Sequence, residues 1–482
     1  MEYIAWKPDR RKEQPLSLQI ILFIKEKIAS GEWPVGKQLP AQRKLAEMFH
    51  VNRSTVVAAI DDLAAEGLLE TKTGSGTKVA NNTWNILSSQ SPPDWESYLE
   101  SGLHLPNRSM IQQINISEFS GDVVRLGTGE LAPELYPAQE MSEVAATVMG
   151  RKSSMGYEQP KGSLELRQAL SHHLAVRGVG VSPEEILIVS GSLQALQLLS
   201  LSILHKRSVI IHERPSYIYS LRIFQSAGMH LVGAPLDAEG IRPDAVAALK
   251  AAKGGALLYT IPCFHNPTGI TMSEQRRKDL LDTCTDIRLP IIEDDAYRDL
   301  WYFTPPPLPL KSRDPSGMVL LMGTMSKALC PGLRIGWIAG AAAVIERLAD
   351  IKMQTDYGAS SVSQAITAEW LTSGKYEEYL RYIRGQLVIR RDLALRALEK
   401  YFSDIAQWPI PDGGFFIWLQ LKVQVPVHML FETALAEGLL CNPGTIYDYQ
   451  AVQYIRLSYA YIPIDAIEPA FARLSAIIRR LV

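Results

Sequence analysis

Four short apolar runs in this sequence end in groups that can do chemistry. Ile186 to Val189 leads into Ser190-Gly191-Ser192-Leu193-Gln194, and Ala256 to Ile261 into His265-Asn266-Pro267-Thr268-Gly269. Pro290 to Ile292 leads into Glu293-Asp294-Asp295-Ala296-Tyr297, and Met318 to Met322 into Gly323-Thr324-Met325-Ser326-Lys327, with Pro331-Gly332-Leu333-Arg334-Ile335-Gly336-Trp337 just beyond. The first is a Gly-Ser turn opening a helix, whose free amides and positive dipole end suit a phosphate. The second holds an Asn amide in one direction between restricted neighbours. The third offers an acid with a phenol close by, and the fourth an amine able to add to a carbonyl carbon.

Together these groups meet the needs of one cofactor. Pyridoxal phosphate (PLP) requires a lysine for its Schiff base, an acid that keeps the pyridine nitrogen protonated, donors to the ring hydroxyl, and cationic and hydroxyl donors to the phosphate. Lys327 is then the Schiff-base lysine and the catalytic residue, and Asp294 the partner of the ring nitrogen. Opposite charge at that nitrogen favours the protonated ring, which is the electron sink. Asn266 and Tyr297 fall to the ring hydroxyl, and Gly191, Ser192, Thr324, Ser326 and Arg334 to the phosphate.

Residues of this kind need a rigid frame. The apolar runs, with Val209 to Ile211 among them, lack polar alternation, which is the mark of strands buried on both faces. Segments of helical length, such as Ser192 to Leu204 and Ser273 to Thr285, alternate with them. The expectation is an α/β domain with a mostly parallel sheet, and ligands in such sheets bind at the carboxyl ends of the strands. A long charged helix over about 375–401 then gives way to strands at Gly413 to Leu419 and Tyr454 to Tyr459, a smaller α+β subdomain over about 375–482.

The first 80 residues follow a different plan. Leu18, Ile21, Leu22, Ile24 and Ile28 recur at helical spacing, a second helix is expected from Ala41 to Phe49, and His50-Val51 form a turn. Asn52 is placed to cap a third helix whose buried stripe is Val56, Ile60 and Leu63. Leu68 to Thr71 and Thr77 to Val79 read as a hairpin around Lys72-Thr73-Gly74-Ser75-Gly76. Three helices and a hairpin describe a winged helix-turn-helix. Residues 81–116, rich in Ser, Pro and Gly and without a sustained period, read as a linker to a domain over 117–482.

Composition narrows the alternatives. The 482 residues are 47% hydrophobic and 21% charged, which excludes disorder as the dominant state and leaves apolar material for large cores. No apolar stretch is long enough to span a membrane and no signal segment opens the chain, so a cytoplasmic protein is expected. Cys263, Cys284, Cys330 and Cys441 are scattered, fitting neither a zinc ribbon nor a disulfide framework, and the nine histidines form no ligand cluster. No metal is expected. A net charge of −2 announces no polyanion binding, and residues 1–80 carry 12 Lys and Arg against 10 Asp and Glu.

The segments His265 to Gly269, Asp294 to Tyr297 and Ser326-Lys327 to Trp337 resemble, in order and spacing, the signatures of class I aminotransferases of the fold-type I PLP enzymes. That resemblance runs from about residue 120 to 482. It implies that Tyr217, in Glu213-Arg214-Pro215-Ser216-Tyr217, stacks on the pyridine ring. It also implies that Tyr157, in Gly156-Tyr157-Glu158-Gln159-Pro160-Lys161-Gly162, reaches the phosphate of a partner subunit, and that Arg456, in Ile455-Arg456-Leu457-Ser458, pairs the α-carboxylate of an amino-acid ligand.

The N-terminal module resembles the GntR-type winged helix through Gly36-Lys37-Gln38-Leu39-Pro40-Ala41-Gln42-Arg43, Val51-Asn52-Arg53-Ser54-Thr55-Val56, Glu66-Gly67-Leu68-Leu69 and Gly74-Ser75-Gly76-Thr77. It departs from that pattern at Ala41, where a serine is usual. The resemblance implies a recognition helix starting at Arg53, with Ser54, Thr55 and Ala58 facing the major groove and Arg43, Lys44, Lys72 and Lys78 on phosphates.

A GntR-type head, a linker and an aminotransferase-like domain resemble, over essentially the whole chain, the MocR family of bacterial transcription regulators. The family implies a homodimer that binds a double-stranded operator. PLP at Lys327, and an amino-acid or amine effector forming an external aldimine with it, would shift DNA affinity. Two alternatives stay open: a working aminotransferase with an accessory DNA-binding head, and a sensor of PLP itself.

Overall fold

The computed structural model describes residues 6–12, 14–29, 32–72, 76–80, 107–121, 123–151 and 156–482. They fall into two compact units, divided between Gly102 and Leu103.

In the first unit, α1 (Leu16–Ala29), α2 (Gln42–Phe49) and α3 (Arg53–Ala65) precede a hairpin of β1 (Leu69–Lys72) and β2 (Gly76–Val79). Ile20, Ile24, Leu45, Phe49, Val56, Ile60 and Leu63 form its core, so the expected stripe of α3 is the buried one. His50 takes the left-handed conformation that ends α2 (φ 53°). Asn52 occupies the N-cap position of α3, but its side chain makes no capping bond. The first turn is closed instead by the Asn52 carbonyl, which accepts from the Thr55 N–H at 3.0 Å.

The second unit is built on an eight-stranded sheet. Its members are β4 (Ile186–Val189), β5 (Val209–Arg214), β6 (His230–Asp237), β7 (Gly240–Ile241), β8 (Leu257–Thr260), β9 (Ile291–Asp294), β10 (Val319–Thr324) and β11 (Gly336–Ala339), in the order β4-β11-β10-β9-β8-β5-β6-β7. From β10 to β6 all neighbours are parallel, whereas β11 runs antiparallel to both of its own. β4, β8, β9 and β10 are buried along their whole length, which is why their sequences show no alternation.

The smaller subdomain carries a four-stranded antiparallel sheet of β12 (Ala406–Gln407), β13 (Phe416–Leu421), β15 (Asn442–Pro443) and β16 (Tyr454–Ser458). It is flanked by the long helix Lys375–Phe402 and the last helix Ile467–Leu481.

The structure corrects the expected linker at its C-terminal end. Of 81–116, residues 81–106 lie outside the described part, but Ser109–Ser117 is a helix belonging to the second unit. Its Met110, Ile111 and Ile114 pack on Trp418, Phe431, Leu440 and Tyr447. Those three apolar residues at three- and four-residue steps are the helix's signal in the sequence, diluted by the surrounding Ser and Pro. Next in the chain, β3 (Val124–Arg125) pairs in parallel with β14 (Leu439–Leu440), so the subdomain expected from 375 to 482 also includes chain from the start of the unit.

Ile60 has no exposed surface in the core of the first unit. Ile60→Ala should cost about 2–5 kcal/mol of that unit's stability. In calorimetry of the whole chain, the expected result is a downward shift of the first unit's transition alone.

Candidate functional site

The carboxyl ends of β4, β5, β8, β9 and β10 deliver side chains to one cavity of about 420 Å³. Lys327, Asp294, Asn266, Tyr297, Tyr217, Ser192 and Arg456 all line it. Lys327 Nζ donates to the Gly129 carbonyl at 2.7 Å and stands 6.0 Å from the centroid of the Tyr297 ring. Burial holds this amine below the ordinary lysine value, with Glu130 opposing.

Asp294 is the last residue of β9, Ile291–Asp294, a strand buried along its whole length that ends in two acidic residues, Glu293 and Asp294. Its Oδ2 accepts from the Tyr259 hydroxyl at 2.7 Å and its Oδ1 from the Ala296 N–H at 3.3 Å. Burial nevertheless pushes the carboxyl up to about 6. A cation at this carboxylate would reverse that penalty by supplying the missing opposite charge.

Asn266 links the two sides of the cavity. Its Nδ2 donates to the Tyr297 hydroxyl at 3.3 Å, its Oδ1 accepts from Arg456 Nη1 at 2.7 Å, and its carbonyl accepts from the Tyr217 N–H at 3.0 Å. Arg456, projecting from β16, is 5% exposed; its guanidinium lies 4.0 Å from the Phe416 ring centroid and also donates to the Gly127 carbonyl. Its Nε has no partner among the described residues. A buried planar cation with spare donor capacity is equipped to take a carboxylate in bidentate fashion. Desolvation pushes the Tyr217 phenol up to about 12, so it stays neutral.

Gly191, Thr324, Ser326 and Arg334 form an adjoining cluster around the start of the helix Ser192–Ser202. Gly191 is the residue before that helix and sits at φ 92°, where a side chain is strained. A Cβ there would also overlap the Arg334 guanidinium, whose Nη2 donates to the Ser190 carbonyl at 3.0 Å. The Thr324 hydroxyl accepts from the Ser326 N–H at 3.1 Å and lies 3.0 Å from the Ile335 carbonyl. Free helix amides, two hydroxyls and a guanidinium make a cradle for a dianion. Tyr157 is apart from all of this, 84% exposed with its ring 5.0 Å from that of Tyr357.

Several groups at the site escape a reading of the sequence. Tyr259 is one phenol inside the buried strand β8, and its role follows only from pairing of β8 with β9. Asn442 Nδ2 donates to the Tyr447 hydroxyl at 3.0 Å, while Oδ1 finds no partner among the described residues. Glu118, at the end of the helix Ser109–Ser117, also lines the cavity and accepts from the Thr128 hydroxyl at 2.9 Å.

In the first unit, Arg53 and Ser54 open α3 exposed, Ala58 is exposed, and Thr55 is half-buried, all away from the core stripe. Arg43 is exposed on α2, 3.6 Å from Glu47. Lys78 lies 2.9 Å from Glu70 across the hairpin. Lys44 is on α2; the Lys72 side chain lies outside the described residues.

Comparison with known proteins accounts for both units. The family described as "Bacterial regulatory proteins, gntR family" matches residues 16–79, and "Aminotransferase class I and II" matches residues 121–474. The HTH-type transcriptional regulator YisV of Bacillus subtilis is 51% identical over 481 residues, covering 100% of this chain and 99% of its own. The chain belongs to the MocR-type transcriptional regulators. A second relative of this type, the HTH-type transcriptional regulator NorG of Staphylococcus aureus, is 32% identical over 92% of this chain and 100% of its own. The larger unit of this MocR-type chain is similar to solved aminotransferases. The multiple substrate aminotransferase from Thermococcus profundus superposes with a TM-score of 0.75 at 30% identity, over 80% of this chain and 98% of that one. The kynurenine aminotransferase of Pyrococcus horikoshii superposes with a TM-score of 0.74 at 29% identity, over 80% and 98%. The fold is thus that of the PLP-dependent aminotransferases, and the head is of a DNA-binding type. No helix among the described residues is long and apolar enough to cross a membrane.

Asp294 gives this MocR-type unit a pH signature. Its folded value of about 6 lies above the ordinary 3.8, so the folded chain keeps a proton that the unfolded chain has released. That stability is complete below about pH 4 and is lost as pH rises through about 6. In protein without PLP, Asp294→Asn should gain on the wild type between pH 4 and pH 7 by about 2–3 kcal/mol, read from urea midpoints. An unchanging difference across that range would contradict the assignment.

Proposed function

We propose that this regulator holds PLP at Lys327, binds an amino compound beside it, and changes the operator affinity of a homodimer according to what the site holds. The observation that carries the reading is the meeting of Lys327, Asp294, Asn266 and Arg456 in one cavity of a chain that also bears a GntR-type head. In domain terms, residues 1–80 bind DNA, the segment beginning at 81 connects, and the remainder from about 107 to 482 binds the cofactor.

The residues fit the cofactor on structural grounds. The buried Asp294 carboxylate has no cation beside it among the described residues, and a protonated pyridine nitrogen would supply one. Gly191, Ser192, Thr324, Ser326 and Arg334 provide anion-binding groups, and the missing side chain at Gly191 lets the Arg334 guanidinium lie against the start of the helix. PLP, when bound, supplies an electron sink in conjugation with the carbon bearing the amine.

This chain's own residues do the rest. The depressed basicity of Lys327 raises the fraction of neutral, nucleophilic amine, and Nζ is the atom that can hold or move a proton. Asn266 and Tyr297 orient the ring hydroxyl, Tyr217 covers a ring face, and Arg456 pairs the ligand's carboxylate. Tyr157, being exposed on its own chain, is available to the phosphate of a second subunit.

On DNA, Arg53, Ser54 and Thr55 read the major groove from the start of α3, while Arg43, Lys44, Lys72 and Lys78 contact phosphates. Two heads on a symmetric dimer would bind paired half-sites, and the work would be done in the cytoplasm, where the operator is. A ligand shifts DNA affinity only by as much as it prefers one arrangement of the dimer.

One observation favours a second reading. No cofactor-binding position is substituted by an incompetent residue, and the Lys327 amine shares the cavity with Arg456, so turnover between amino donor and keto acid is chemically open to the chain. Sensing of PLP alone is the third reading.

Absorbance and DNA binding test these readings. Wild type with PLP should show a visible band that Lys327→Ala lacks, and one amino compound should alter that band and DNA affinity together. Passage to the amino form of the cofactor and back with a keto acid would favour the enzyme. An effect of PLP on DNA affinity with no further amino-acid effect would favour the PLP sensor. Absence of a band in the wild type would overturn the reading.

Arg53→Ala should weaken operator binding by about tenfold or more, leaving the absorbance band intact. Titration of labelled DNA at fixed salt is the measurement.

A further inference from the structure

The ligand cavity has a wall that the aminotransferase family match does not reach. That match begins at residue 121, yet Asn107, Ile111, Ile114, Asn115 and Glu118 line the same space as Lys327 and Arg456. Ile114 anchors this wall against Trp418 and Tyr447, so it is a packed surface.

The charges of the cavity do not balance around a simple amino acid. Asp294 answers a ring nitrogen, the helix amides and Arg334 answer a phosphate, and Arg456 answers an α-carboxylate. Glu118 and Glu130 remain, both lining the cavity and only partly buried. Neither forms an ion pair with any described Lys, Arg or His; among the described residues the side-chain donor to the Glu118 carboxylate is the neutral Thr128 hydroxyl. Both line the cavity that Lys327 and Arg456 line, so they face the same ligand space. A further polar group points the same way: Asn442, 5% exposed on the cavity lining, has an Oδ1 acceptor with no partner among the described residues. Two carboxylates and an unused acceptor form a wall suited to a donor-rich cation.

Resting on the reading of an amino-compound sensor, the geometry points to an effector with a second, distal cationic group: a diamino monocarboxylic acid whose α-carboxylate meets Arg456 and whose far ammonium meets Glu118. Such a ligand would touch the segment that immediately follows the connection to the DNA-binding head. A ligand without the distal cation leaves that contact unmade.

The test uses the full chain loaded with PLP, with ornithine, lysine, norleucine and glutamate as probes and calorimetry, absorbance and operator titration as readouts. Ornithine or lysine should bind at least about tenfold more tightly than norleucine. Glu118→Gln should remove most of that preference while leaving norleucine affinity within about twofold. Glu118→Lys should reverse the preference toward glutamate, a gain that a misfolded variant cannot produce. Equal affinity for ornithine and norleucine in a wild type that shows its absorbance band would overturn this assignment and leave the sensor reading standing. A wild type with no band, or one that no probe alters, would overturn both.

Discussion

The site is organised by the cost of a carboxylate at the end of a buried strand. Asp294 ends a strand buried along its whole length and is 5% exposed, and the Tyr259 phenol is the one side-chain donor it has among the described residues. Perturbed carboxyls of this kind cluster at functional sites. The surrounding features follow from that constraint: the parallel order of β8, β9 and β10 fixes the carboxylate, the phenol and the lysine in relation to one another. The guanidinium of Arg456 is likewise committed to the interior, with one donor atom left over. Opposite charges thus stand at two places in a single cavity, neither with an ion-pair partner among the described residues.

Much of this was readable in the residues. The sheet was legible because strands buried on both faces write continuous apolar runs, and each run ended within a few residues of its observed strand. That Lys327, Asp294, Asn266, Tyr297 and Ser192 meet in one cavity was legible because residues just past the carboxyl ends of such strands gather there. Arg456 and Tyr217 needed the resemblance to a family, since nothing local distinguishes an arginine in a late strand from one in a structural ion pair.

What escaped was carried by contacts between distant parts of the chain. Tyr259 gains its role from the register of β8 against β9, which is a fact about pairing and not about spacing. Asn442 and Glu118 meet the cavity from segments more than 300 residues apart, and no periodicity reports that. Asn52 shows the converse, a residue of the right type at the right position whose side chain makes no capping bond. The helix Ser109–Ser117 was hidden by composition: three apolar residues in a stretch dominated by turn formers were enough, because a ready-made apolar surface in the smaller subdomain receives them.

The pairing of β3 with β14 and the seating of that helix on Trp418 and Phe431 also set an order of events during synthesis. The head is made of contacts among its own 80 or so residues and can fold as soon as it has emerged from the ribosome. The segment after it cannot, because its partners are translated more than 300 residues later. At about 5–20 residues per second, that is a wait of roughly 15–60 seconds during which Met110, Ile111 and Ile114 have no native surface to cover them. A nascent chain would therefore carry a folded head ahead of an uncovered apolar stretch, and it is there that a chaperone has most to protect.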